Sequence, residues 1–170
     1  MAAPGYSGTP LWKKLGLTRE LKLLLINMPA AYPEWVQADI RKQLVKAGET
    51  PDWVHLFAAD QKAFLAALQQ VLPYCKKKPA LVIWVSWYKK SSGIATDLTE
   101  DIIRNTALQH GLVDVKVCAV TEQWSALKLV VPLKKRYQAA NGIVMVKVLP
   151  LPSILSALIV PWCASTMVFT

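Results

Sequence analysis

Five consecutive residues, Lys89, Lys90, Ser91, Ser92 and Gly93, close an apolar run and precede the polar opening of a helix, Thr96-Asp97-Leu98-Thr99-Glu100-Asp101. Two ammonium groups, two hydroxyls and a glycine at a helix start are the parts of an anion site. The first backbone N–H groups of a helix lack intrahelical acceptors and attract negative charge. The same stretch also reads as a solvated turn followed by a cap. Asp97, Glu100 and Asp101 can satisfy those donors, and they would repel a phosphate. Asp97 or Thr96 is the expected cap, and Asp97-x-x-Glu100 resembles a capping box with aspartate in place of the usual hydroxyl residue.

Elsewhere the reactive residue types are thin. His55 lies inside an apolar run and reads as a core histidine with its polar atoms satisfied. His110 lies near a helix end, where it complements the negative terminus. Neither stands in a metal-ligand motif, so no metal site is expected. No local pattern marks a serine or cysteine triad. Cys75, Cys118 and Cys163 are odd in number and form no CxxC pair, which points to a reducing compartment. Cys118 falls in an expected strand, where burial outweighs nucleophilic work. Trp87 and Trp124, if exposed near the lysines, would give single-stranded nucleic acid a stacking surface; packing in core and rim is the ordinary alternative.

The formal net charge is +9, so acidic partners deserve weight. The charge is unevenly spread. Residues 1–133 hold 16 basic and 11 acidic side chains, a balance of +5, and Lys134, Lys135, Arg136 and Lys147 supply the rest. The last acidic residue is Glu122.

The elements that must position these residues follow from periodicity. The run "LKLLLIN" suits a buried strand, as do "DWVHLFA" and "PALVIWVSW". In "PEWVQADIRKQLVKAG" the spacing of Val36, Ile40 and Leu44 predicts one helix ending at Gly48. "DQKAFLAALQQVLP" predicts a second helix, capped by Asp60, with Lys76-Lys77-Lys78 in a solvated loop beyond it. "TDLTEDIIRNTALQHG" predicts a third, ended by Gly111. "LVDVKVCAV" and "ALKLVV" predict an antiparallel hairpin. Strand–helix alternation implies an α/β fold: a three-layer, mainly parallel, Rossmann-like sheet with a C-terminal antiparallel hairpin. Ligands of such sheets bind outside the carboxyl ends of the strands. That rule gathers Asn27, residues 58–60 and residues 87–93 at one edge. A dinucleotide or adenosylmethionine would want a glycine-rich turn after the first strand, yet no glycine occurs between Gly16 and Gly48. No cofactor is therefore expected.

Residues 5 to about 133 resemble a bacterial family catalogued as domain of unknown function 3052. The motifs that carry the resemblance are "GYSGTPLWKKLGL", "DWVHLF", "WVSWYKKSSGIATDLTED" and "GLVDVKVCAVTEQWSALKLVV". Tyr88 stands where the family pattern usually has proline. The resemblance implies relatedness and fold and brings no activity. The layout is also similar to an abbreviated class I methyltransferase, with two strands and their helices missing after the first strand.

The resemblance ends near Leu133, which divides the chain into an α/β domain of residues 1–133 and a basic, then apolar, tail of residues 134–170. Residues 148–170 carry no charged side chain and are long enough to span a bilayer, but Pro150, Pro152 and Pro161 interrupt them. A C-terminal membrane anchor, an extra sheet or interface segment, and an accidental tail are the three readings. The expected function is that of a non-enzymatic cytoplasmic protein that binds a partner or small anion at the carboxyl edge, through Asn27, Lys89, Lys90, Ser91, Ser92, Gly93, Thr96 and Trp124. The alternatives are a diverged methyltransferase-like enzyme and a nucleic-acid binder with a basic face.

Overall fold

The two most apolar runs become the centre of the sheet. In the computed structural model, which describes residues 8–133, β2 (Trp53–Ala58) is buried at every position and β3 (Val82–Tyr88) at all but its ends. Such burial requires a strand on either side and cover on both faces. β1 (Leu23–Ile26) pairs in parallel with β2, and β2 in parallel with β3. The helix between β2 and β3 is α3 (Gln61–Lys77); α4 (Glu100–Gln109) follows β3. The closing hairpin consists of β4 (Val113–Ala119) and β5 (Trp124–Val130), and the sheet order is β1-β2-β3-β5-β4. The α/β, largely parallel architecture with an antiparallel hairpin is thus the observed fold.

The second hairpin strand enters the sheet instead of extending it. β5 pairs antiparallel with both β3 and β4. Burial explains the choice. β5 offers Trp124, Ala126, Leu127 and Leu129, all buried, whereas β4 leaves Val115 and Val117 58% and 45% exposed. The more apolar strand takes the covered slot, and β4 takes the edge, with a bulge between Asp114 and Lys116.

Each face has its own core. Val54, Leu56, Ile83, Val85, Leu127 and Leu129 face α3 and α4. Trp53, Phe57, Trp84, Trp124 and Ala126 face α1 (Leu11–Leu15) and α2 (Tyr32–Val36). The chain leaves β1 across the α2 face and reaches Leu44, which pairs in parallel with Leu23 on the outer side of β1; the Val45 N–H donates to the Leu23 carbonyl at 2.9 Å. From β2 it crosses the α3 face in the opposite direction. Opposite steps over opposite faces keep one hand for both crossovers. They also make the gap between the ends of β1 and β2 the topological switch point of the sheet.

Three expectations need correction. The helix expected to run to Gly48 stops at Val36, because Gln37 takes a left-handed φ of 56° and a short 3₁₀ turn follows at Arg41–Gln43. Val36 and Ile40 are buried as the spacing implied, but Leu44 is 40% exposed and serves the β1 edge. Pairing that edge outweighs helical periodicity. The helix expected to end near Pro73 continues to Lys77, so Lys76 and Lys77 form its last turn and Lys78 its C-cap. Pro73 is exposed, while Tyr74 and Cys75 pack on the core and carry the helix past it. The third concerns the cap of α4. It is Thr99, whose hydroxyl accepts from the Ile102 N–H, and neither Asp97 nor Thr96.

Among the described residues no helix is long and apolar enough to cross a membrane. The candidate anchor at residues 148–170, Cys163 and the basic residues from Lys134 onward lie outside the described residues.

Candidate functional site

The carboxyl ends of β1, β2 and β3 carry the residues singled out from the sequence, and side-chain hydrogen bonds tie their loops together. Asn27, the first residue after β1, adopts φ 54°, a left-handed conformation that asparagine tolerates better than most. Its Nδ2 donates to the Phe57 carbonyl of β2 at 3.3 Å, across the switch point. Met28 beside it is 39% exposed. The Thr96 hydroxyl donates to the Ala59 carbonyl at 2.6 Å and accepts from the Leu98 N–H at 3.1 Å. This fixes the loop after β3 to the loop after β2.

Asp97 completes the same staple. Its carboxylate accepts from the Gln61 N–H at 2.9 Å, and its carbonyl accepts from Gln61 Nε2 at 3.1 Å. Asp60 accepts from the Ala63 N–H at 2.7 Å as expected. The start of α3 therefore holds two carboxylates on its free donors, one local and one from 36 residues away. At the start of α4 the Thr99 hydroxyl accepts from the Ile102 N–H, and the carboxylates of Glu100 and Asp101 lie in the first turn, paired with Arg104. Negative charge already supplied by the chain occupies both helix starts at this edge.

The lysine-serine stretch divides into engaged and open parts. Lys89 is half-buried, and its Nζ donates to the Thr121 carbonyl at 2.7 Å, while its N–H donates to the Gln123 carbonyl at 2.8 Å. It buttresses the β4–β5 turn. Ser92 Oγ donates to the Lys89 carbonyl at 2.7 Å and accepts from the Ile94 N–H at 3.2 Å. Lys90, Ser91 and Ser92 form a 3₁₀ turn ended by Gly93 at φ 71°, where a side chain would be strained. Lys90 and Ser91 are exposed. Trp124 and Trp87 are each 6% exposed, so neither is an open stacking platform. Trp124 instead packs on Tyr88, with ring centroids 4.0 Å apart, and edge-on against Phe57.

The most polar cluster of the interior lies below this edge. His55 is fully buried, as its apolar surroundings in the sequence implied. Its Nδ1 lies 2.7 Å from the Tyr32 hydroxyl and its Nε2 lies 2.7 Å from Ser86 Oγ. Desolvation holds His55 neutral, with its pKa pushed down to about 3, and desolvation also raises that of Tyr32. The sequence reading missed Tyr32 and Ser86. Ser86 had a signal: it is the one aliphatic hydroxyl in a central strand otherwise made of aliphatic and aromatic side chains, as His55 is the one imidazole in its neighbour. Two such residues on adjacent buried strands need each other. No cluster of metal-ligating residues occurs among the described residues.

No family model and no curated protein matches the chain. Among solved structures it is similar to a protein of the NADB-Rossmann superfamily from Streptococcus agalactiae, at 9% identity and a TM-score of 0.47, over 76% of this chain and 71% of that one. It is also similar to Streptococcus pneumoniae Sp1610, a candidate tRNA methyltransferase, at 7% identity and a TM-score of 0.39, over 69% of this chain and 58% of that one.

Proposed function

We propose that this chain is a non-enzymatic cytoplasmic binding protein that takes a partner or small anion at the carboxyl edge of its sheet. Our reading includes the resemblance of residues 5–133 to the bacterial family of unknown function, which adds no activity. The observation that carries the proposal is the stapled edge itself. Asn27 ties β1 to β2, and Thr96 ties the loop after β3 to the loop after β2. Met28, Lys90 and Ser91 are left exposed on a surface whose backbone is fixed, and a preorganised surface binds at a smaller entropic cost. The His55–Tyr32–Ser86 cluster supports the non-enzymatic part, because its nucleophile and its base touch only each other and the core.

Amide NMR titration of the full chain tests the proposal, with inorganic phosphate, ATP and a short single-stranded DNA as probes. Saturable shifts at Met28, Lys90, Ser91 and Gly93, weakened in a Lys90→Ala variant, are expected. Lys89 is unsuitable for this test because its loss would free the β4–β5 turn. Shifts confined to another part of the molecule would overturn the reading.

The switch point between β1 and β2 favours one second reading, a diverged methyltransferase-like enzyme, since that crevice is where such sheets hold ligands. A large thermal shift with adenosylmethionine alone would replace the first reading with this one.

A further inference from the structure

The opposite, amino edge of the sheet holds a lysine with no assigned work. Lys128 lies on β5, between two other strands, and is only partly exposed. It faces Trp84 across β3 and Lys116 across β4. Two like charges directly opposite on neighbouring strands oppose folding. Lys116 is accommodated, because its Nζ donates to the Lys14 carbonyl at 3.1 Å in the last turn of α1. The Lys128 ammonium makes no hydrogen bond and no ion pair among the described residues.

A hollow of about 390 Å³ opens beside it, walled by Leu15, Leu21, Trp53 and Val82. That volume lies in the range of small-molecule sites, roughly 300–1,000 Å³. The carboxylate on its rim, Asp52, is already committed. It pairs with Lys78 and accepts from the Lys22 N–H at 2.8 Å. The indole N–H groups of Trp53 and Trp84 both donate to the Leu15 carbonyl, at 3.3 and 3.0 Å, so the aromatic wall is held rigid. Apolar walls with one unpaired ammonium define the chemistry of an occupant.

We propose that this hollow binds a small monocarboxylate with a flat or branched apolar body. The body lies against Trp53, Leu15, Leu21 and Val82, and the carboxylate pairs with Lys128. A phosphate dianion fits less well, because one lysine is on offer and α1 points its carbonyl end toward the site. The proposal is separate from the carboxyl-edge reading, as the two sites lie at opposite ends of the strands.

Phenylacetate and the neutral phenylacetamide, titrated into the unmodified full chain by calorimetry and amide NMR, test the proposal. Phenylacetate should bind at least about tenfold tighter, with shifts at Leu15, Gly16, Val82, Lys128 and the Trp53 indole. A Lys128→Met variant, which keeps the apolar stem, should bind acid and amide alike, whereas Lys128→Arg should retain the preference. Equal binding of acid and amide by the unmodified chain, absence of saturable binding, or shifts confined to the Lys90 edge would each overturn the proposal without recourse to any variant.

Discussion

His55 shows how one buried side chain sets a property of the entire fold. Its imidazole is neutral because no water reaches it, and its pKa falls from 6.5 to about 3. The unfolded chain therefore takes up a proton that the folded chain refuses. Stability is fully present above about pH 6.5 and declines as pH falls toward 3, by about 1.4 kcal/mol per unit. Urea unfolding at neutral pH and at about pH 5 should differ by roughly 2 kcal/mol. Hydrogen bonds from Arg41, Lys46 and Lys78 hold Asp39, Glu49 and Asp52 below the ordinary carboxylate range, away from the histidine transition. A His55→Gln variant should be less stable at neutral pH and should lose the slope; an unchanged slope would remove His55 as its source. Tyr32→Phe leaves a buried ring nitrogen without its partner and should cost about 1–3 kcal/mol. The histidine was legible as a core residue, but its partners lie 23 and 31 residues away and no local pattern names them.

At the scale of elements, the start of α3 is the informative case. Asp60 is the cap that the sequence announces, since it immediately precedes an amphipathic run. Asp97 is a cap that only the fold supplies. Each should contribute about 0.5–2 kcal/mol on replacement by alanine, as caps do. Because both serve one helix end, the double variant should depart from additivity. Urea unfolding of the two single variants and the double variant checks this. If Asp97→Ala unfolds at the same urea concentration as the parent chain, the staple between the loops after β2 and β3 is not holding them. The failed helix beyond Val36 makes the same point in reverse. Val36 and Ile40 have helical spacing and are buried, but the chain between them turns so that Val45 can pair with the bare edge of β1. An unpaired strand edge outweighs a run of modest helix formers.

For the whole molecule, the decisive feature is the last described strand. β5 is placed between β3 and β4, so the sheet stays open until the chain has been made through Val130. A chain ending at Ala119 should have no cooperative unfolding transition, because β4 would have no neighbour and β3 would expose a long apolar edge. A cooperative transition in that truncated chain would show that β5 is dispensable. The same placement puts Lys128 inside the sheet at one end and Trp124 at the other. The two ends of the strands thus acquire different chemistry: a stapled surface with open Lys90 and Ser91 at the carboxyl edge, and an apolar hollow beside a lysine whose ammonium has no partner among the described residues at the amino edge.

Much of this architecture can be read locally. The apolar runs of β2 and β3, the stripe of α3 with its Asp60 cap, the end of α4 at Gly111 and the closing hairpin all depend on residues within a turn or a strand of one another. Local pattern also placed Asn27 and the lysine-serine stretch at the carboxyl edge through strand–helix alternation. The tertiary structure alone decided that β5 lies inside the sheet, that Leu44 extends it, that Lys89 buttresses a turn and that Trp124 is buried. Each of those outcomes depends on partners tens of residues apart, as in Asn27 with Phe57, Gln61 with Asp97 and Lys89 with Thr121. Hydrophobic periodicity records which face a residue turns inward; it carries no record of which distant polar atom waits there, because hydrogen-bond partners are chosen only when the layers meet.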